Sequence, residues 1–424
     1  MGPMEINLDT KGPLPGIPGS RINLYVAGDT VSGHVKVHVA REAVKSLTIE
    51  FTGTLHAQVI SGSRLQQKNS LFNFTVSPAT SADGVYPFSF QLPGTVVVAP
   101  DESMAPRHVP IAPQSLLPSF TFGLPNENMF AKVEYLVIAK LVHKGTIFTK
   151  RDSETKTINI SAAPIEDLSL LSSSPASHIF QLQTPKLRPG MEHYKPTAME
   201  RLSSFLGNVH QGFQDPKILV DLGAELPNSL ALGSQIPTSI SINLLPDSHG
   251  IETPPRIYLL KAEAKLQIIT ELAVQTGNKK KMTSMDLCSR GWDSRTMPIE
   301  YGYQHKIDLT NWVSENFVHD VGNQLVPTFH TANLKRKYRL DLEIWLECVG
   351  EVWKKTFERE LVLLPAYVGE APKAPLPTPA PTRTLTAASP VVGEKAMMMP
   401  MNSIQPDAVY DAPPPEYTEL QNNP

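Results

Sequence analysis

Apolar side chains recur at every second position along much of this chain, and that period limits what it can fold into. Val35, Val37 and Val39 alternate with His34, Lys36 and His38; Leu47, Ile49 and Phe51 alternate with Thr48, Glu50 and Thr52. Neighbouring side chains of a strand point to opposite faces, so a period of two marks a half-buried β-strand. Ile6 and Leu8 begin the series, and Phe72 to Val76, Tyr86 to Leu92, Val133 to Val142 and Thr155 to Ile160 continue it. A second block runs from Lys217 to Pro365, where Tyr338, Leu340, Leu342, Ile344 and Leu346 alternate with polar or amphipathic residues. The run Leu259 to Leu272 has the Leu, Lys, Glu and Ala content of a helix. Its Leu260, Ala262, Ala264, Leu266 and Ile268 nevertheless alternate with polar residues, and its strand-rich surroundings favour a strand. Short strands, Gly and Pro turns and no convincing helix predict an all-β chain built as β-sandwiches.

A chain of 424 residues is too long for one core, so two domains with tails are expected. Its 39 prolines are about twice the usual share, which suits turns and extended segments. Net charge is −3, so no overall field draws the chain to nucleic acid, and no nucleic-acid partner is expected. Cys288 and Cys348 are too few for a disulfide framework. No charged start precedes an apolar run, and a cytoplasmic chain is the expectation. Gly-x-Ser-x-Gly, His-Glu-x-x-His, phosphate-loop and Cys/His metal spacings are absent, so neither catalysis nor a cofactor or metal is expected. Scattered histidines such as His34 and His38 read as solvent-facing.

These patterns place one domain at 4–163, a linker at 164–213, a second domain at 214–366 and a tail at 367–424. Ser-rich 169–177 reads as linker. Ala198 to Val209 reads as a short amphipathic helix, either a connector packed on a domain or a partner-facing element. Lys279-Lys280-Lys281 reads as a solvated hairpin tip or an anionic-lipid contact. Ser174-Pro175, Thr184-Pro185, Thr378-Pro379 and Ser389-Pro390 fall in stretches read as flexible, where phosphorylation would add charge.

From residue 367 the spaced prolines Pro372, Pro375, Pro377, Pro379 and Pro381 predict a disordered, partly polyproline tail. Near its end stands Pro413-Pro414-Pro415-Glu416-Tyr417. Proline holds φ near −65° and favours a polyproline II helix, whose rings dock on aromatic grooves at little entropic cost. A tyrosine two residues after a Pro-Pro pair is the WW-domain form of that ligand. Pro414, Pro415 and Tyr417 are therefore the expected binding residues. Leu364-Pro365-Ala366-Tyr367 is a variant of the motif at the end of the last strand, either a second WW ligand or a strand end.

The run Tyr25-Val26-Ala27-Gly28-Asp29-Thr30-Val31-Ser32-Gly33, followed by Ile49-Glu50-Phe51-Thr52-Gly53, resembles arrestin-like N-terminal domains. So do Gly84 to Pro93, Leu117-Pro118-Ser119-Phe120 and Val133-Glu134-Tyr135. Pro327-Thr328-Phe329 leading to Tyr338-Arg339-Leu340 is similar to the end of an arrestin C-terminal domain. With its Pro-Pro-x-Tyr tail the chain resembles the α-arrestins, or arrestin-related trafficking adaptors. The resemblance implies two arrestin-like immunoglobulin-type sandwiches joined by a linker. It also implies an adaptor that holds a HECT-type ubiquitin ligase by its WW domains and engages cytosolic tails of membrane transporters or receptors. Such an adaptor works at the plasma membrane or endosomes, with peripheral membrane contact. A retromer-like sorting subunit or a signalling scaffold would share the sandwiches without depending on the tail.

Overall fold

The computed structural model describes residues 2–11, 24–61, 63–78, 83–97, 113–125, 127–145, 148–165, 167–191, 193–195, 215–274, 277–292, 297–319, 325–331 and 333–367. Met1–Glu370 is one compact unit; the remainder, including Tyr417, lies outside the described residues. The unit is nearly all β, as the alternation predicts, and it is built around two hydrophobic cores.

The first core is made by β1 (Met4–Leu8), β2 (Leu24–Tyr25), β3 (Thr30–Val37), β4 (Val44–Ser61), β5 (Ser63–Val76), β6 (Val85–Gln91), β7 (Thr95–Val96), β8 (Gln114–Ser115), β9 (Phe120–Phe122), β10 (Met129–Lys144) and β11 (Thr149–Ile160). One sheet runs β1-β3-β6 and another β2-β11-β10-β4-β5, with β9 added to β10. Ile6, Val35 and Phe88 from the first sheet meet Phe51, Leu55 and Val137 from the second in one cluster. Neighbouring strands within each sheet crowd two glycines. A Cβ at Gly33 would stand 2.2 Å from the Asn7 carbonyl oxygen, and one at Gly53 would sit under 3 Å from the Phe72 and Tyr135 rings. These two positions therefore require glycine for close approach rather than for an unusual φ.

The second core is made by β12 (Ser173–Gln183), β13 (Lys217–Pro227), β14 (Ser229–Ala231), β15 (Ser239–Leu244), β16 (Ile257–Val274), β17 (Gly277–Gly291), β18 (Pro298–Ile299), β19 (Ile307–Asp308), helix α1 (Thr310–His319), β20 (Phe329–His330), β21 (Leu334–Cys348) and β22 (Glu351–Leu364). Its sheets run β12-β13-β15-β19 and β14-β22-β21-β16-β17, with β18 on β16 and β20 on β21. The ambiguous run at 259–272 is strand β16, paired along its length with β17 and β21. Its charged residues form strand ion pairs: Lys261 bonds Glu263, two residues on and on the same face.

Four expectations change. Residues 173–183, placed wholly in the linker 164–213, form β12 of the second core instead, paired with β13 from Ser173–Pro227 to Gln183–Lys217. Its inward residues Ala176, Phe180 and Leu182 are only half-buried, so the strand carries a weak alternation that serine composition obscured. Ser174 bonds Asn228 at 2.9 Å and Thr184 caps a 3₁₀ turn, so neither lies in a flexible stretch. Helix α1 was not anticipated, because Thr, Asn, Val and Ser are poor helix formers; its Val313 and Phe317, with Leu309 just before, pack into the second core. Lys279–Lys281 are not a purely solvated tip: they lie in β17, where Lys279 Nζ donates to the Ile60 carbonyl at 2.5 Å and Lys281 stands 3.5 Å from Glu127. The predicted helix at 198–209 lies outside the described residues.

Candidate interaction surfaces

In a strand with one buried face, polar residues of inward parity are the exceptions that need an explanation. Gln67 and Asn69 share the inward side of β5 with Leu71, Thr270 that of β16 with Ile268 and Leu272, and Arg336 that of β21 with Leu334 and Tyr338. All four are buried, Arg336 to 3% exposure. The structure brings most of this set to one place, the joint between the two cores. There β16 and β21 pass from one core to the other: Leu272, Val274 and Leu334 belong to the first, Ile268 and Tyr338 to the second.

Burying a guanidinium requires its donors to be used. Arg336 Nη1 donates to Thr270 Oγ1 at 2.5 Å and Nε to the Tyr338 hydroxyl at 3.2 Å. That hydroxyl in turn donates to the Val326 carbonyl at 2.7 Å. The guanidinium carbon lies 5.2 Å from the Phe120 ring, 5.9 Å from Phe122 and 5.6 Å from Tyr338, so aromatic faces share the charge. Phe120 also meets Phe329 edge to face, at 5.9 Å between centroids.

The Leu117–Phe120 segment is wired into the first core. The Tyr135 hydroxyl donates to the Leu117 carbonyl at 2.6 Å, and burial pushes that phenol's pKa well above its usual value. Ser119 N–H donates to the Ile160 carbonyl at 2.8 Å, while Ser119 Oγ accepts from Ile160 N–H at 2.9 Å. The segment thus fixes Phe120 against Arg336. Sequence reading missed Arg336, Thr270, Gln67 and Asn333. Their signal was a polar residue at inward parity for the first three, and none for Asn333.

Beside the joint, Glu271 of β16 stands in register between Lys280 of β17 and Lys335 of β21, with His330 of β20 opposite Lys335. Glu271, Lys279, Lys280, Asn333 and Lys335 border a recess of about 250 Å³, whose lining carries three lysines against one glutamate. Partial burial first, then Lys335 and Lys337, hold the His330 pKa below its usual value against the opposing pull of Glu271. The recess itself is net positive, with Lys279, Lys280 and Lys335 outnumbering Glu271 in its lining. A second recess, about 340 Å³, lies among His56, Lys68, Lys132 and Glu134 of β4, β5 and β10. Among the described residues no group of three His, Cys, Asp or Glu side chains could hold a metal ion, and no helix is long and apolar enough to cross a membrane.

Pro414, Pro415 and Tyr417 lie outside the described residues. Leu364, Pro365, Ala366 and Tyr367 are half-buried at the end of β22. Thr328 N–H donates to Leu363 O at 2.7 Å, Leu232 N–H to Leu364 O at 3.1 Å and Ile165 N–H to Ala366 O at 3.0 Å. Tyr367 forms a parallel bridge with Ile165. His38 is exposed and His34 half-buried. The chain matches no family model and no curated protein sequence.

Proposed function

We propose that this chain is an adaptor of the arrestin-related trafficking type: two arrestin-like sandwiches joined by a linker, with a disordered C-terminal tail. The tail's Pro414-Pro415-Glu416-Tyr417 recruits a WW-domain HECT-type ubiquitin ligase. The body engages cytosolic tails of membrane transporters or receptors, whose ubiquitylation then directs endocytosis and sorting. One observation carries the reading: a Pro-Pro-x-Tyr sequence stands near the end of a proline-rich stretch that follows a double-cored all-β unit in the chain. A WW groove would take Pro414 and Pro415 on aromatic surface and Tyr417 in a neighbouring pocket. Tyr417 lies 50 residues beyond Tyr367 (417 − 367); a flexible chain of that length would span roughly 40 Å, enough to reach lysines of a bound neighbour. The net-positive recess at Lys280 and Lys335 suits peripheral contact with an anionic membrane surface.

The test is capture by isolated WW domains, comparing the intact chain with Tyr417→Ala, combined with turnover of surface proteins in cells. Loss of capture and slowed turnover are expected. Unchanged capture would overturn the reading. Lost capture with unchanged turnover would favour a signalling scaffold or a retromer-like sorting subunit.

A further inference from the structure

Strand β12 stands at one side of the second core, with β13 as its strand partner. The register is unbroken from Ser173–Pro227 to Gln183–Lys217, and just past it Thr184 N–H donates to the Pro216 carbonyl at 3.2 Å. In an antiparallel pair a residue's N–H and C=O point the same way, and the direction alternates along the strand. The Thr184 bond sets the phase: even-numbered residues face β13, and odd-numbered ones turn their backbone groups to the other side. Pro175, which has no N–H, falls on that other side, and its carbonyl accepts from Arg359 Nη2 at 3.4 Å. Among the described residues no strand lies beside Ser177, Ile179 and Gln181 there. Their side chains are exposed, Ile179 to 57%.

A free edge is a template for another strand, and proteins blunt it with charge, proline or a bulge. β11, paired on its outer side only at Asn159 and Ile160, carries Lys150, Arg151, Asp152, Glu154 and Lys156. The edge strand β17 carries Lys279, Lys280, Lys281, Asp286 and Arg290. Beyond Pro175, β12 lacks these devices. It has no Asp, Glu, Lys or Arg, and its pairing with β13 has no bulge to turn the edge away.

We propose that β12 is a homodimer interface, at which two copies of the chain pair edge to edge, antiparallel about a two-fold axis. A surface that meets its own copy must be self-complementary. The register that asks nothing of Pro175 sets Ser177 opposite Gln183 of the second copy and Ile179 opposite its Gln181. Each of these four residues then gives its N–H and fills its carbonyl, and the strands bring no like charges together. A charged segment of another protein would find no counter-charge on β12, which favours a second copy as the occupant. One strand pair buries little area, so the dimer is weak and its population rises with concentration. The pairing does not depend on the adaptor reading. Under that reading, a dimer would offer two Tyr417 motifs to a ligase with several WW domains and gain avidity from them.

The experiment follows the mass of the full chain by sedimentation across a concentration series. Mass should climb from one copy towards two. Ile179→Lys should weaken the dimer by about 10-fold, since it charges the edge and sets two lysines within diagonal reach across the axis. Ile179 is exposed, so the melting temperature of the dilute variant should match that of the parent chain; should it fall, cross-linking decides. For that, Ile179→Cys and Gln181→Cys chains are mixed and mildly oxidised, and the mixture should cross-link more than either chain alone. A chain that stays monomeric at every concentration would overturn the proposal and leave the edge to a strand of another protein. So would a dimer untouched by Ile179→Lys in a folded chain, or a mixture that cross-links no better than its components. Tyr417→Ala should keep the dimer and lose WW-domain capture; capture that survives it would sink the adaptor reading and leave the dimer standing.

Discussion

Asn333 and Gln67, 266 positions apart in sequence, meet through a hydrogen bond of 2.6 Å from Asn333 Nδ2 to Gln67 Oε1. Both side chains are buried, and Asn333 Nδ2 also donates to the Ala273 carbonyl at 2.9 Å. Gln67 Nε2 and Asn333 Oδ1 have no hydrogen-bond partner among the described residues. One polar contact therefore helps to register the first core against the strands of the second. Removing either partner strands the other in an apolar setting.

Asn333→Ala and Gln67→Ala are each expected to destabilise the chain by about 1–3 kcal/mol. The double variant should cost less than the sum, with a coupling of about 1 kcal/mol. Urea unfolding of the three variants checks this; strict additivity would show that the contact does not join the cores energetically.

Arg336→Met keeps the length of the side chain and removes the bonds to Thr270 and Tyr338. A loss of about 2–3 kcal/mol is expected, since hydrogen bonds from a buried charge are stronger than neutral ones. Arg336→Lys should recover little of it, because an ammonium lacks the planar fork and stacks poorly on Phe120. Full recovery by lysine would show that charge alone matters at this position.

Cys348 is fully buried, and burial, with Glu347 adding to it, pushes its thiol pKa up to about 12. At pH 8 only about one molecule in 10⁴ would carry the reactive thiolate. Alkylation of the native chain followed by mass spectrometry should modify half-buried Cys288 well before Cys348, with Cys348 reacting once denaturant is added. Equal native rates would contradict the burial of β21.

His178 lies on the inward side of β12, in edge contact with Phe180, which stacks on Trp353. Desolvation first, then Lys355, lower its pKa from the usual 6.5, with Asp221 opposing. The folded state therefore takes up its proton at lower pH than the unfolded state does. Stability from the neutral ring is present above pH 6.5 and is lost as pH falls from there through the folded pKa. The wild-type chain should thus lose more stability between pH 7.5 and pH 5.5 than His178→Gln, by a small margin because the ring is partly solvated. An identical pH profile for the two chains would remove this role.

The strands were legible where alternation was strong. In β10, Val133, Tyr135, Val137, Ala139 and Leu141 all face inward, and the pattern in the sequence predicts that face. In β12 the inward residues are mixed with serines and a histidine, so composition suggested linker. Helix α1 shows its spacing only through Leu309, Val313 and Phe317, three residues four apart in a poor helix-forming background. The candidate surfaces divide in the same way. A linear motif such as Pro414-Pro415-Glu416-Tyr417 is complete in the sequence, because its ligand form needs only neighbouring residues. The joint is not, because Arg336, Thr270 and Phe120 become one site only by strand pairing and packing between distant segments.

By itself, then, the sequence determined the period of the strands and the short motifs at 364–367 and 414–417, all of which depend on residues a few positions apart. Tertiary structure alone decided that β16 and β21 serve both cores, that a buried arginine sits among aromatic rings where they cross, and that Tyr367 is paired to Ile165. Those outcomes depend on contacts between residues far apart in the chain, where local spacing carries no information about the partner.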